Sequence, residues 1–429
     1  LFGRNTTGGA INVIMRKPSD EVTGYLDAGY GRYNRVQLRG SIDLPVSESL
    51  LTKFSAYYTS ADGYVDDLTT GEKLNGEESY GFRAAIRALL SPDVTWDLTG
   101  EYVSSSSASF PHFYDADTGD RITFTPLRTD TSLGTAYVSE NLADNTLGND
   151  VENYAISSNL QINAGSATIN VITGFRNLYQ QYMTDSFAGV SSSSLVLDGI
   201  DYVSSSRGYS TPLVNDSWSK QFSQEIKVTG SALGGFVDYV GGFYYINEKN
   251  WTDFANITLP LTGQATVSAD RVVDNNTEAY AGYIQGDFHL TPELPFPPGP
   301  RSPDETKTVS FTPNANPLPR SSSINQPFDT QDVINAGIPT QLNAREWTPR
   351  FVLKYDFTRD LNVYVSATRG FKSGGWNARA YYAAGAAAFT QETIWSYEAG
   401  VRSEWFDRRL RVNLTGFYFM DYDQQLPGG

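Results

Sequence analysis

The stretch FRAAIRALLSPDVTWDLTGEY, residues Phe82–Tyr102, alternates apolar and polar side chains on both sides of a short break. Before the break, Phe82 and Ile86 share one parity, while Arg83 and Arg87 share the other. A period of two places successive side chains on opposite faces of a β-strand. The break itself is a Ser–Pro–Asp sequence, and these residues favour turns. The stretch therefore predicts an antiparallel hairpin with one apolar and one polar face.

The same alternation recurs along the chain in about fifteen runs, most of them near the 9 to 11 residues that a tilted strand needs to cross a membrane. Short links between runs alternate with long ones. The long ones lie at about 62–79, 104–153, 185–217, 250–275, 305–343 and 369–392. A transmembrane barrel with short periplasmic turns and long extracellular loops predicts this asymmetry. A soluble sandwich or propeller does not.

One region interrupts the pattern. Residues 294–303 read LPFPPGPRSP, where the succession of runs requires a strand. Proline lacks a ladder donor, so this density of proline argues against a paired strand. We interpret the region as a long loop with a polyproline spacer. A degenerate strand is the alternative.

Composition excludes several classes of function. No run reaches about 18 apolar residues, so we expect no transmembrane helix. The chain has no cysteine, hence no disulfide, zinc-thiolate site or catalytic thiol. Its formal charge of −16 argues against nucleic acid as a partner. The only two histidines are His112 and His289, which leaves little room for a metal cluster or a catalytic triad. We therefore expect neither an enzyme, nor a bound metal, nor a cofactor.

The first residues, Leu1–Lys17, read LFGRNTTGGAINVIMRK and are rich in glycine. A phosphate-binding loop would need a Walker or dinucleotide spacing followed by a helix, and neither is present. The segment closely resembles the end of the plug domain of TonB-dependent outer-membrane receptors, where such a motif leads into the first barrel strand. The residues that carry this resemblance are Gly3, Arg4, Asn5, Gly8 and Gly9.

Three further segments resemble the same family. They are ATRGFKSGGWNAR at Ala367–Arg379, the strand pair within Glu392–Gln425, and AYAGYIQGDFHLTPEL at Ala279–Leu294. Together the matches span nearly the whole chain in the order that the family shows. The resemblance implies an all-β fold, a transmembrane antiparallel β-barrel with the end of a plug at residues 1–18 and the barrel wall at 19–429. Plugged transporter barrels have about 22 strands, so we expect this chain to be a fragment that lacks most of the plug and the C-terminal strands.

The resemblance also implies a function and a location. Receptors of this family lie in the bacterial outer membrane, in contact with its lipid, and take up scarce ligands, most often a ferric siderophore. Relatives take up cobalamin or carbohydrates. The TonB–ExbB–ExbD complex energises uptake through a Ton box, which we expect to precede Leu1. Two alternatives from other classes are a passive porin and a soluble secreted β-rich binding protein.

Candidate site residues follow from strand parity and from the loops. We expect the polar side chains of each strand to face the lumen. We also expect Arg4 of the plug to pair with Glu398 or Glu225. The alternative is that these charges line a hydrated lumen. In the loops, side chains that suit contact with a ligand are His112, Phe113, Tyr114, Lys372 and Trp376. The alternative is that these loop side chains are simply solvated and contact no ligand.

Overall fold

The structure is a computed structural model of the 429-residue chain. It describes residues 12–66, 73–107, 148–185, 212–260, 266–291, 301–314 and 326–425, with short pieces at 113–114, 121–122, 196–197, 200–201, 209–210, 294–296, 299 and 319–320.

Most of the described residues lie in β-strands. In chain order these are β1 (Thr23–Gly31), β2 (Arg35–Ser47), β3 (Leu50–Ala61), β4 (Val65–Asp66), β5 (Lys73–Leu74), β6 (Glu77–Ser91), β7 (Val94–Ser107), β8 (Phe113–Tyr114), β9 (Arg121–Ile122), β10 (Gly148–Ala164), β11 (Ala167–Asp185), β12 (Val196–Leu197), β13 (Ile200–Asp201), β14 (Tyr209–Ser210), β15 (Pro212–Ala232), β16 (Val237–Pro260), β17 (Thr266–Thr291), β18 (Leu294–Phe296), β19 (Arg301–Pro313), β20 (Gln341–Arg345), β21 (Arg350–Thr358), β22 (Leu361–Lys372), β23 (Gly375–Trp376), β24 (Ala388–Phe389), β25 (Glu392–Trp405) and β26 (Leu410–Tyr422). A short helix, α1 (Thr330–Asn335), begins with an Asp329 capping box. Within the part of the chain just defined, no helix is both long and apolar enough to span a membrane.

The long strands form two antiparallel sheets that follow chain order. The larger runs β1-β2-β3-β6-β7-β10-β11-β15-β16-β17-β19-β20, and the smaller runs β21-β22-β25-β26. Short turns join strands at one end, at residues 48–49, 92–93, 165–166, 233–236, 359–360 and 406–409. We call this the short-turn end, and the opposite one the long-loop end. The alternation of short and long connections agrees with the sequence prediction.

The proline-rich stretch continues a strand. Beside β17, Phe288 pairs with Phe296 and Tyr283 pairs with Arg301. Partners five residues apart on one strand are therefore five apart on the other, so β18 and β19 share one register. The interpretation of this stretch as a loop with a polyproline spacer is wrong for its described residues. Proline removes a ladder donor, but its fixed φ near −65° suits an extended chain, so proline density alone does not end a strand.

The same register joins the two sheets. Gly299 exchanges two backbone hydrogen bonds of 3.1 Å with Arg350, and Asp304 pairs with Arg345. These partners are again five residues apart on both strands, so β20 and β21 act as one run. The two sheets thus form one antiparallel wall, in which the described residues supply fifteen long runs. This matches the strand number that the sequence predicts.

The two faces of the wall differ as the alternation predicts. One face, which we call the outer face, exposes large apolar side chains, including Phe82 at 57 %, Ile226 at 48 % and Ile284 at 61 %. The opposite, inner face carries charged side chains such as Asp43 and Lys53, which are only 3 % and 9 % exposed. A wall with apolar side chains on its exposed face suits lipid on that side and a polar interior on the other.

Strands at the long-loop end are longer than predicted. β16 and β17 occupy most of the loop expected at 250–275, and β19 and β20 occupy both ends of the loop expected at 305–343. These parts of the loop prediction are wrong. Beyond a bilayer both faces of a strand have polar surroundings, so the alternation stops while backbone pairing continues. The end of the alternation therefore marks the edge of the apolar band and not the end of the strand.

Candidate ligand-binding site

The segment after β22 folds back across the inner face at the long-loop end. We call residues 373–391 the strap. The strap pairs with itself through β23 and β24, where Gly375 lies opposite Phe389. A Cβ on Gly375 would lie 2.8 Å from Cζ of Phe389, and one on Gly374 would collide with the carbonyl oxygen of Phe389. Gly374 and Gly375 of the GFKSGGWNAR motif are therefore needed for a close approach of backbone and ring.

Arg271 of β17 holds the strap from the wall. Its guanidinium donates to the carbonyl oxygens of Ala378 at 3.1 Å and Ala380 at 2.7 Å, and it lies 3.8 Å from the ring centroid of Phe328. The residue is 2 % exposed. Burial lowers the pKa of Arg271 to about 10, so the side chain keeps its charge at neutral pH. Carbonyl dipoles and an aromatic face stabilise this buried cation directly.

Arg379 ties the strap to three more strands. It donates to Oδ1 of Asn215 on β15 and to Oδ1 of Asn256 on β16, both at 2.6 Å, and to the hydroxyl of Tyr182 on β11 at 3.4 Å. Its guanidinium lies 4.4 Å from the ring centroid of Phe254. Because the strap starts at β22, these contacts carry it across the inner side of the strands between β22 and β11.

An apolar cluster lies around the two arginines. Its buried members are Phe254, Ala269, Val273, Val309, Phe311, Phe328, Val333, Trp376, Ala380 and Ala386. Val333 brings α1 into this cluster, and the indole N–H of Trp376 donates to the carbonyl oxygen of Pro339 at 2.6 Å. Strap, helix and wall thus share one core at the long-loop end. Its chemistry is a pair of guanidinium groups set among aromatic rings.

A second polar group lies lower on the inner face, at mid-height. The hydroxyl of Tyr283 donates to Oε1 of Glu225. The guanidinium of Arg301 lies 5.8 Å from the ring centroid of Tyr244. Glu225 lies on β15 and Arg301 on β19, and Tyr244 of β16 and Tyr283 of β17 lie on the two strands between them.

A third group lies on the inner face at the short-turn end, where the chain enters β1. Lys53 and Asp43 form a buried ion pair at 2.7 Å. Asp43 also accepts the backbone N–H of Ser19 at 2.9 Å. Lys17 lies 3.3 Å from Asp97, with 54 % and 21 % of their side chains exposed. Lys17 and Ser19, which precede β1, are therefore attached to the inner face of the wall.

The predicted site residues fall into three sets. The motif residues Gly3, Arg4, Asn5, Gly8 and Gly9 lie outside the described residues, as does His112. Phe113 and Tyr114 form β8, which pairs with β9. The pairing of Arg4 with Glu225 or Glu398 stays a prediction.

The remaining predicted residues are described. Glu225 accepts from Tyr283 as above, while Glu398 is exposed on β25. Lys372 is exposed at the end of β22, where the strap begins. Trp376 is 8 % exposed and packs in the shared core. The structure gives Trp376 a packing role in the strap, and contact of Lys372 with a ligand stays a prediction.

Sequence reasoning missed Arg271, Arg379 and the pair of Asp43 with Lys53. Asp43 and Lys53 are directly opposed in the β2–β3 register, so a register fixed by the turn between them would have found the pair. Arg379 lies within the ATRGFKSGGWNAR motif, of which sequence reasoning named only Lys372 and Trp376 as candidate site residues. Arg271 lay in an expected loop, where no periodic signal was available.

Two other features bear on the choice of site. A groove of about 1080 Å³ lies among outer-face side chains such as Leu38, Phe54 and Phe82, so it faces the lipid side and not the interior. Among the residues that the structure describes, no group of three or more His, Cys, Asp or Glu side chains could hold a metal ion. The strap and its two arginines are therefore the candidate site.

The comparison with protein families decides the identity. A model of the TonB dependent receptor-like β-barrel matches residues 105–426. The chain belongs to this family. It is part of an outer-membrane β-barrel, and the outer face described above is the face that such a barrel turns to lipid. The all-β, membrane-spanning fold that the sequence predicts is confirmed.

Individual relatives are distant. The pesticin receptor of Yersinia pestis is 21 % identical over 441 residues, which cover 100 % of this chain and 55 % of the relative. The chain thus spans about half the length of the curated relatives that it matches.

Solved structures show the same fold. The ferric yersiniabactin uptake receptor FyuA from Yersinia pestis superposes with a TM-score of 0.75 at 15 % identity, covering 98 % of this chain and 57 % of that one. The ferric-catecholate import receptor Fiu from E. coli K12 gives 0.71 at 14 % identity, covering 97 % and 60 %.

Proposed function

We propose that the chain is the wall of a receptor that takes up a ferric siderophore across the outer membrane, driven by the TonB–ExbB–ExbD complex. Family membership supports energised uptake, and the named substrates of FyuA and Fiu support an iron complex. The observation that carries the proposal is the strap, which places two arginines and several aromatic rings at one end of the interior.

The orientation follows from the connections. We place the long-loop end outside the cell and the short-turn end in the periplasm, as in barrels of known orientation. Residues 1–18 are then the end of the plug and 19–429 the barrel wall. The hydrogen bond from Ser19 to Asp43 holds this junction at the periplasmic end of the wall.

The interior chemistry suits an anionic, oxygen-rich iron complex. Arginine guanidinium groups bind carboxylate and phenolate oxygens with paired hydrogen bonds, and they stack on aromatic faces. The guanidinium of Arg271 is bound to strap carbonyls and that of Arg379 to wall asparagines, so a ligand at the mouth meets the strap first. Exposed Lys372 stands at its base. We propose that this site binds the ligand for transport and that the ligand undergoes no covalent step there.

The plug must move for the ligand to pass. The Lys17–Asp97 contact is half exposed, and an ion pair of that kind contributes about 0–1 kcal/mol. The Lys53–Asp43 pair is buried and lies wholly within the wall. Pulling on the plug can therefore release Lys17 at low cost while the wall keeps its own ion pair.

Growth on chelated iron tests the proposal. A strain lacking the full-length receptor is grown on a panel of ferric siderophores, with and without a complementing gene and with and without TonB. We expect receptor-dependent and TonB-dependent growth on at least one ferric siderophore. Unchanged growth on the whole panel, with loss of growth on cobalamin or a carbohydrate, would overturn the siderophore assignment. Growth that persists without TonB would instead indicate a passive porin.

A further inference from the structure

A row of polar side chains crosses the outer face near the long-loop end. Neighbouring strands pair Asn177 with Lys220, Lys220 with Lys249, and Lys249 with Asn276. The row lines a groove of about 860 Å³ that also includes Thr308. Outer-face rows nearer the short-turn end carry Ile226, Phe243 and Ile284, all well exposed. The lysine row is therefore a departure from the apolar face around it.

The two lysines face each other, and no described carboxylate forms an ion pair with either. Lys220 and Lys249 are both exposed, and neither forms an ion pair with any described carboxylate. Like charges that are directly opposed on a sheet destabilise it. Of the acidic side chains nearby on the outer face, Asp274 lies at the groove edge and Glu278 accepts hydroxyl hydrogen bonds from Tyr245 and Tyr280. The groove thus holds two lysines and the one lining carboxylate of Asp274, and neither lysine is in an ion pair with a described carboxylate.

The height of the row matches a membrane interface. Lys220 lies twelve residues before Ala232, the end of β15. With a rise of about 3.4 Å per residue and a tilt near 40°, this distance is about 30 Å along the barrel axis, close to the thickness of a hydrocarbon core. Trp218 and Trp251 form the next outer-face row above, with ring centroids 5.2 Å apart. Tryptophan at this level is typical of the headgroup region.

We propose that the groove at Lys220 and Lys249 binds the phosphate groups of an anionic lipid in the outer leaflet. The lysine pair supplies the charge complement to phosphate, the asparagines at each end supply further hydrogen-bond donors, and the tryptophans border the headgroup. The proposal rests on the orientation given above, in which the long-loop end lies outside the cell. It assigns a binding role to the outer face, which the uptake path does not use.

Lipid binding to the purified full-length receptor tests the proposal. The probe is a bis-phosphorylated outer-leaflet glycolipid, compared with its dephosphorylated form and with inorganic phosphate. The variant is the double substitution Lys220→Gln with Lys249→Gln, and the matched control is Lys227→Gln on the inner face of the same strand. At about 1 kcal/mol for each lysine near a charged surface, we expect about thirtyfold weaker binding in the double variant. The control should bind as the wild type does.

Several outcomes would overturn the proposal. These are wild-type affinity in the double variant, an equal loss in the Lys227→Gln control, equal binding of the dephosphorylated lipid, or competition by inorganic phosphate at the lipid's own concentration. If the double variant does not fold, Lys249→Arg must fold and retain binding, since it keeps the charge. Growth on ferric siderophores is measured in parallel. If the double variant loses lipid binding but still supports growth, the lipid site is separate from uptake. If the wild-type receptor binds the lipid but supports growth on none of the siderophores, the proposed substrate is wrong and the lipid site stands.

Discussion

Replacing Arg379 by alanine should make the strap open from the wall more often without unfolding the wall. The guanidinium makes two hydrogen bonds of 2.6 Å, to Asn215 and Asn256, and contacts the ring of Phe254. Hydrogen bonds to a charged group contribute about 1.5–3 kcal/mol each. Asn215 is 7 % exposed, so its amide oxygen would lose its partner with little access to water.

The expected loss in strap docking is about 3 kcal/mol, since water that enters the vacated space recovers part of the sum of these bonds. Each 1.4 kcal/mol is a factor of ten, so strap opening should become more frequent by about a hundredfold. Backbone ladders of β15 and β16 do not involve the Arg379 side chain and should hold. Hydrogen exchange of the full-length receptor, followed by mass spectrometry, reports both regions in one experiment.

The control is Arg408→Ala at a short turn. Arg408 pairs with Glu404 at 3.1 Å, but its side chain is 75 % exposed, and such pairs contribute about 0–1 kcal/mol. It should leave strap exchange unchanged. The reasoning is refuted if strap peptides of Arg379→Ala exchange within about twofold of the wild-type rate. It is refuted equally if β15 and β16 lose protection together with the strap.

Three further changes probe other parts of the wall. Burial raises the pKa of Asp216 to about 6, so the fold favours the protonated acid and stability falls as pH rises from about 4 to 6. Asp216→Asn should therefore raise the unfolding free energy by up to about 3 kcal/mol at pH 8 and hardly at pH 4. Thermal unfolding at both pH values would show this difference. Gly374→Val should disrupt the pairing of the strap with itself, because a Cβ at residue 374 collides with the carbonyl oxygen of Phe389; increased proteolysis of the strap with an intact wall would reveal this. Lys53→Met leaves Asp43 buried without its cation and should cost about 3–5 kcal/mol in denaturant unfolding, and adding Asp43→Asn should recover much of that loss.

The sequence could predict which side chains face lipid because that property is local. A strand turns alternate side chains to opposite faces, so Phe82 and Ile86 could be assigned to the outer face without any partner strand. The family resemblance then supplied the order of the strands. The loop prediction at 250–275 failed where the alternation stopped but the backbone pairing continued.

The strap could not be predicted, because its contacts join distant parts of the chain. Arg271 donates to Ala378 and Ala380, which lie 107 and 109 residues away. No period within either segment encodes such a contact. In the same way, the close approach of Gly374 and Gly375 to Phe389 follows from the fold and not from the motif alone.

A cysteine scan along β15 tests most directly whether the wall faces lipid on one side and an aqueous interior on the other. The chain has no cysteine, so single cysteines at residues 221–228 can each carry a nitroxide in the full-length receptor in bilayers, with any cysteine outside this chain replaced by serine. Accessibility to oxygen, which concentrates in lipid, is compared with accessibility to a water-soluble nickel chelate. We predict oxygen maxima at Phe222, Ile226 and Val228, and nickel maxima at the odd positions such as Glu225. Equal accessibility at both parities, or aqueous exposure throughout, would contradict the account.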